Sequence, residues 1–439
     1  MVFSHHCFRH LLSLAVLTAL SACNDGVGGV AVGDDVNDDL RLAEVPALKH
    51  LAEALEDDVT IGDVIWIGDG INFNTAPNPS ALLNDINRFD DDRDRAGREP
   101  LSVLTFNVAL LDAAAFGFIP IVASPALQER HRVLPGLVFE TGADVIVVQE
   151  LWLDSDVAVF RNRAGRLGYT AFVHDRKDSN DGLAVFVRSD VIAGGTTTAI
   201  DFNAYSSRAS IEGFPGINVA RGWMSVQFVH ATIGPVTVFN THMQSFPEHW
   251  LDRVKQAREL GIAMRASKQD RDAFFVVGGD FNSGPYYKTA TWTSPNGTTE
   301  DRWFHNAIAW PVLLTYGDLV DAAIMGRHHD DALADIAQGD TVTNDADVAL
   351  DVAGAEQGWC ERTPVTTFTA TDCNSLYFKQ YGGTEAPARI DHIFVNDDNG
   401  RVIVDGSRLA FTDKQLFGDL LIEPSDHFGV IVDLLVAPR

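Results

Sequence analysis

Six short motifs place cation-binding and proton-transferring residues beside apolar runs. They are Thr105-Phe106-Asn107, Gln149-Glu150, Asn240-Thr241-His242, Gly278-Gly279-Asp280-Phe281-Asn282, Arg389-Ile390-Asp391-His392 and Ser425-Asp426-His427. Asn107, Glu150, Asp280, Asn282 and Asp426 offer oxygen atoms, which suit a hard cation such as magnesium or manganese better than zinc. Magnesium keeps several waters and takes few protein ligands, so a sparse set is what such a site requires. His242 and His427 titrate near neutral pH and can act as acid, base or hydrogen-bond donor to a phosphoryl oxygen. Taken singly, a strand-terminal aspartate is usually a cap or turn residue. The order and strand context of all six together carry the reading.

A constellation spread over more than 300 residues needs a rigid scaffold. Ser102–Val108, Val145–Val148, Leu183–Val187, Met224–Val229, Val236–Asn240, Phe274–Val277, Ile390–Val395 and Gly429–Leu434 read as strands. The segment from Trp250 through Ala266 reads as a helix. Strands with interspersed helices predict an α/β layered domain over residues 100–439. Between His328 and Glu361 there is no Lys or Arg while aspartates accumulate, which reads as an acidic surface insertion. The stretch Trp292 to Trp310 is aromatic-rich and reads as core before it reads as a lipid-contacting loop.

The chain of 439 residues has a formal net charge of -28, a field that repels nucleic-acid phosphates and counts against a nucleic-acid partner. Arg9 precedes a short apolar run from Leu11 to Leu20, and Leu20-Ser21-Ala22-Cys23 follows, predicting an export signal over residues 1–22. The cysteine after small residues resembles a bacterial lipobox, so Cys23 is the expected lipidation site of an exported lipoprotein, at the outer membrane or cell surface, or secreted. Residues 23–99 then read as a tether and N-terminal extension. Cys360 and Cys373 remain in the exported chain, and an oxidising compartment predicts a disulfide between them.

Taken in order, TFN, QE, NTH, GDFN, RIDH and SDH resemble the endonuclease/exonuclease/phosphatase superfamily, over about residues 100 to 437. The resemblance implies a four-layer sandwich of two packed mixed β-sheets flanked by helices. It implies Glu150 as the principal metal ligand, with Asn107 and Asp426 close to the metal. Asp280 and Asn282 would orient water and phosphate, and Asp391 would hold the His427 tautomer. His427 with Asp280 is then the expected base for the water and His242 the expected acid for the leaving alkoxide.

Further motifs resemble the sphingomyelinase branch. These are Thr241-His242-Met243-Gln244, the helix Arg253-Val254-Lys255-Gln256-Ala257-Arg258-Glu259-Leu260, the Ala220-Arg221-Gly222-Trp223 element and Cys373-Asn374-Ser375-Leu376-Tyr377. Arg221 and Gln244 are by this resemblance the substrate-binding residues. His392 and Phe428 stand where tyrosine is usual in that branch. The resemblance implies a magnesium-dependent phosphodiesterase (manganese or another divalent cation substituting) acting on sphingomyelin or a related phospholipid at a membrane surface. A secreted nuclease, another phosphoesterase and a noncatalytic ligand-binding lipoprotein are the competing readings. The acidic balance weighs against the nuclease, and the intact histidine and carboxylate set against the binding protein.

Overall fold

The computed structural model describes residues 95–115, 119–175, 181–196, 198–206, 220–245, 249–270, 273–284, 292–293, 299–300, 309–317, 319–322, 374–376, 390–396 and 400–438. The expected signal, residues 23–94 of the tether and extension with Cys23, the acidic insertion, Cys360 and Cys373 lie outside these residues.

Two mixed six-stranded sheets form the scaffold. In the first, β15 (Val402–Ala410), β18 (Gly429–Val436), β1 (Glu99–Asn107), β4 (Val145–Gln149), β6 (Ala184–Arg188) and β5 (Tyr169–Phe172) lie side by side in that order. In the second the order is β13 (Val320–Asp321), β14 (Asp391–Val395), β10 (Phe274–Asp280), β9 (Gly234–His242), β8 (Gly222–His230) and β7 (Ala199–Ala204). Short hairpins β2–β3 (Asp112–Ala115, Ile119–Ala123), β11–β12 (Trp292–Thr293, Thr299–Glu300) and β16–β17 (Gln415–Phe417, Leu420–Ile422) stand apart from both sheets. Helices α1 (Leu127–Glu140), α2 (Asp154–Arg166), α3 (Trp250–Asp270) and α4 (Ala309–Gly317) complete the α/β sandwich.

Period-2 alternation divides each central strand between two cores. Leu101 and Val103 of β1, with Val145 and Val147 of β4, meet Val236, Val238, Val276, Ile393 and Val395 of the second sheet in one cluster. The intervening residues Leu104, Phe106, Ile146 and Val148 pack instead with Leu134, Val138 and Phe139 of α1 and Val157 and Phe160 of α2. Phe139, Phe160 and Phe186 make edge and stacked ring contacts there, with centroids 4.9 to 6.1 Å apart. Each fully buried phenylalanine contributes roughly 1.5–3 kcal/mol through burial. Helix α2 also has Asp154 and Asp156 in its first turn and Arg163 and Arg166 in its last, matching the helix dipole.

The two sheets pack closely at Gly278. A Cβ added to Gly278 would stand 2.4 Å from Val147 Cγ2 of the facing sheet, so only glycine fits. Each sheet contains one parallel pair, β1 with β4 and β9 with β10. Parallel neighbours end at the same edge, and register sets Asn107 opposite Gln149 and Asp280 opposite His242. Antiparallel β14 then brings Asp391 opposite Asp280.

Trp310 of the aromatic-rich stretch is buried, and its indole N–H donates to Asp321 Oδ2 at 3.0 Å. It belongs to the core.

Candidate active site

The inter-sheet stripe changes character as it nears the strand ends. Val103-Leu104-Thr105-Phe106-Asn107, Val145–Gln149 and Val236–His242 each turn from apolar to polar on the shared face. A buried amide layer lies at the change. Gln149 Nε2 donates to Asn240 Oδ1 at 2.7 Å and to Thr105 Oγ1 at 3.3 Å, while Asn240 Nδ2 donates to the Val148 and Ala184 carbonyls at 2.9 Å. These bonds join the two sheets through groups that would otherwise be buried and unsatisfied.

Above that layer, Asn107 Nδ2 donates to Glu150 Oε1 at 3.1 Å and to Asp280 Oδ2 at 3.0 Å. Its Oδ1 accepts the Ala109 N–H at 3.0 Å, so Asn107 acts as a bridge that fixes two carboxylates. Asp280 Oδ2 also lies 3.4 Å from His242 Nε2 and 3.9 Å from His427 Nε2. His427 Nδ1 is 2.8 Å from Asp391 Oδ2. The Asn282 backbone N–H donates to Asp280 Oδ1 at 2.9 Å, and Asn282 Nδ2 holds the Met243 carbonyl at 3.1 Å. Glu150 and Asn282 have φ of 59° and 47°, left-handed values that turn the chain sharply after β4 and β10.

Burial pushes the Asp280 carboxyl up to about 7, helped by the Asp391 charge and opposed by His427. Burial first, and the neighbouring Asp426 charge second, raise Glu150. The histidines diverge. Burial, then the positive charges of Arg221 and His427, push His242 well below the ordinary range. For His427, burial works downward, but the Asp391, Asp280 and Asp426 carboxylates outweigh it and hold the ring well above that range. On the protein's own charges the two histidines are pushed apart, His427 toward the protonated form and His242 toward the neutral one.

A divalent cation suits this donor set. Glu150 is crowded by Asp426 at a partly exposed position, and like charges held together are what such an ion relieves. Asp280, Asp391 and His427 also present ligand atoms within 4.8 Å of one another. Within that second group the His427–Asp391 hydrogen bond already accounts for the close approach.

Of the expected substrate residues, Arg221 is buried, donates from Nη2 to Ser245 Oγ at 2.9 Å, and acts electrostatically on both His242 and Glu150. Gln244 is buried too, and its backbone N–H and carbonyl are bound by Gln256 Oε1 at 2.9 Å and Arg253 Nη1 at 3.0 Å. Arg253 and Gln256 of α3 therefore fasten the loop that follows His242. Asn374 does the same on the other side, donating from Nδ2 to the Ser425 carbonyl at 2.7 Å. His392, fully buried, has Nδ1 2.9 Å from Asp321 Oδ2 and Nε2 2.9 Å from the Ser283 carbonyl.

Sequence reasoning passed over Arg130. This fully buried guanidinium donates to the carbonyls of Pro424 (2.7 Å), Val108 (2.7 Å) and Ala109 (3.1 Å) and to Ser124 Oγ (2.6 Å). Burial lowers it to about 10 against the pull of Asp426 and Glu150, so it stays charged. It ties the loop beyond Asn107 to the loop carrying Asp426. No motif announced it, since an arginine on an amphipathic helix is ordinarily exposed.

The family model described as Endonuclease/Exonuclease/phosphatase family matches residues 104–427. The chain belongs to that family. Solved structures similar to it include sphingomyelinase C from Streptomyces griseocarneus, at 16% identity and TM-score 0.49, over 76% of this chain and 99% of that one. They also include a Bacteroides thetaiotaomicron mannosyl-6-phosphatase, at 18% identity and TM-score 0.46, over 76% of this chain and 99% of that one. A third is D. rerio TDP2 complexed with single strand DNA product, at 17% identity and TM-score 0.46, over 76% and 99%. A comparison with curated protein sequences gives no match. By family the chain is a phosphoester hydrolase.

Proposed function

We propose that this hydrolase is a magnesium-dependent phosphodiesterase that cleaves sphingomyelin to ceramide and phosphocholine, or a related phospholipid at the same phosphodiester bond. The observation that carries the chemistry is the convergence on Asp280 Oδ2. One carboxylate oxygen accepts from Asn107 and faces both histidines at 3.4 and 3.9 Å. A group so placed can hold a water or a phosphoryl oxygen between two proton-exchanging rings. Glu150 with Asp426 would hold the cation, which polarises the phosphoryl oxygen when bound. Asn107 fixes Glu150 toward it, and Asn282 fixes Asp280. His427, kept protonated by three carboxylates, can donate to an oxygen that gains charge, and His242, kept neutral, can donate a hydrogen bond from Nε2 to a phosphoryl oxygen.

Three features support the lipid substrate. The Arg221, Gln244 and α3 motifs resemble the sphingomyelinase branch. The charge of -28 disfavours a polyanion. The hairpin β16–β17 pairs Leu416 with Leu421, which are 71% and 60% exposed, directly before Asp426 and His427. Their strand neighbours Phe417 and Ile422 are buried, so the two leucines share the outward face. Exposed leucines beside a catalytic end fit an interface with lipid. An exported lipoprotein anchored at Cys23 would work at such an interface.

Magnesium-dependent release of phosphocholine from sphingomyelin vesicles tests the proposal, with His242→Ala and a DNA substrate in parallel. Release abolished by chelation and by His242→Ala is the expected result. DNA cleavage without phosphocholine release would overturn the substrate assignment.

A further inference from the structure

We infer that Trp152 is a positioning residue that fixes the tautomer of His242, its indole N–H serving the Nδ1 side of the imidazole through one buried water. Two ring nitrogens at the site, Trp152 Nε1 and His242 Nδ1, are buried and have no hydrogen-bond partner among the described residues. The centroids of the two rings are 6.2 Å apart. Their needs are complementary. An indole nitrogen can only donate, whereas a neutral imidazole has one donor and one acceptor nitrogen. His242 Nε2 faces the Asp280 carboxylate at 3.4 Å, which calls for the hydrogen on Nε2 and leaves Nδ1 to accept. Unpaired buried polar groups are costly and rare, and pairing these two removes two such costs at once.

The indole has little freedom to leave this position. Leu151 N–H bonds the Gly182 carbonyl at 2.9 Å, and a Cβ added to Gly182 would stand 2.9 Å from the Trp152 ring. Gly182 has φ of +68°, so glycine is favoured there twice over. Glu150 begins the same turn, and one segment thus supplies both a carboxylate to the cation site and the group that orients the histidine.

The inference rests on His242 acting in the proposed hydrolysis, but its first test needs no substrate. Long-range nitrogen–proton NMR on histidine-labelled full-length protein reads which ring nitrogen of His242 carries hydrogen. The wild type is expected to show a single Nε2–H form. Trp152→Phe keeps the ring and removes the donor, and a mixture of both tautomers is expected, with the melting temperature held. In turnover of a soluble phosphodiester, the same variant should lower kcat by roughly tenfold with KM unchanged. Gly182→Ala, which displaces the indole, should produce the same tautomer mixture. A His242 that keeps one Nε2–H form in both variants overturns the inference. So does a wild type in the Nδ1–H form. If no phosphodiester is turned over by the wild type, the NMR result still decides.

Discussion

Asp391 Oδ2 and His427 Nδ1 stand 2.8 Å apart across the seam between the sheets, Asp391 at the start of β14 and His427 just before β18. The bond is a cross-sheet clasp, fixing the imidazole so that Nε2 faces Asp280. The same carboxylate raises the proton affinity of the ring.

Replacing it should therefore move a titration. Asp391→Asn removes the largest upward influence on His427, so the limb of the pH–rate profile that reports this histidine should move to lower pH. If His427 works in its protonated form, as its surroundings favour, the alkaline limb is the one that moves. Turnover should fall on the order of a hundredfold or more. A profile that keeps both limbs in place would separate Asp391 from the chemistry.

Asp280 makes metal-free protein sensitive to base. Its folded value of about 7 lies above the unfolded carboxylate value, so its contribution is full below about pH 4 and is lost as pH rises through 7. The loss should be on the order of a few kcal/mol, seen in urea titrations of chelated protein. Asp280→Asn should flatten that dependence. Glu150, raised by burial and by Asp426, holds a proton that the cation must displace, so magnesium affinity should rise with pH.

Arg130 should be a stability and assembly residue together. Arg130→Met leaves three carbonyls and Ser124 Oγ without their donor, and a cost of about 3–5 kcal/mol is expected by chemical denaturation. Arg130→Lys keeps the charge without the planar fork and should lie between. Both should need more magnesium for half-maximal activity, since the Asp426 loop loses its tie to the loop beyond Asn107.

The β16–β17 hairpin should separate binding from chemistry. Leu416→Ser with Leu421→Ser is expected to weaken association with sphingomyelin vesicles on the order of tenfold, measured by sedimentation. Hydrolysis of a soluble diester should be unchanged.

The central strands were legible because burial on both faces writes long apolar runs. Val145–Gln149 and Phe274–Asp280 are buried throughout. The edge strands were not. Ala199–Ala204 is exposed or half-exposed along its whole length, and Val402–Ala410 carries a register shift between Val404 and Gly406 that breaks the alternation. The site residues stood out because each ends or begins a readable strand. Arg130 did not, and Asn240 was legible only as part of a motif, since their work is to satisfy buried groups, and that role exists only once the partners are assembled. Gln256 and Arg253 matched a motif, yet only the fold reveals that they hold the backbone of Gln244.

Strand β18 comes last in chain order but lies between β15 and β1, one place in from the edge of its sheet. A growing chain can hold Asn107 and Glu150 long before this slot is filled. Asp426 and His427 arrive only with the segment that fills it, and Asp391 has nothing to clasp until then. Hydrolytic competence therefore requires this segment to be in place. If, as proposed, the substrate is a membrane lipid, a chain that has not yet placed this segment cannot attack it.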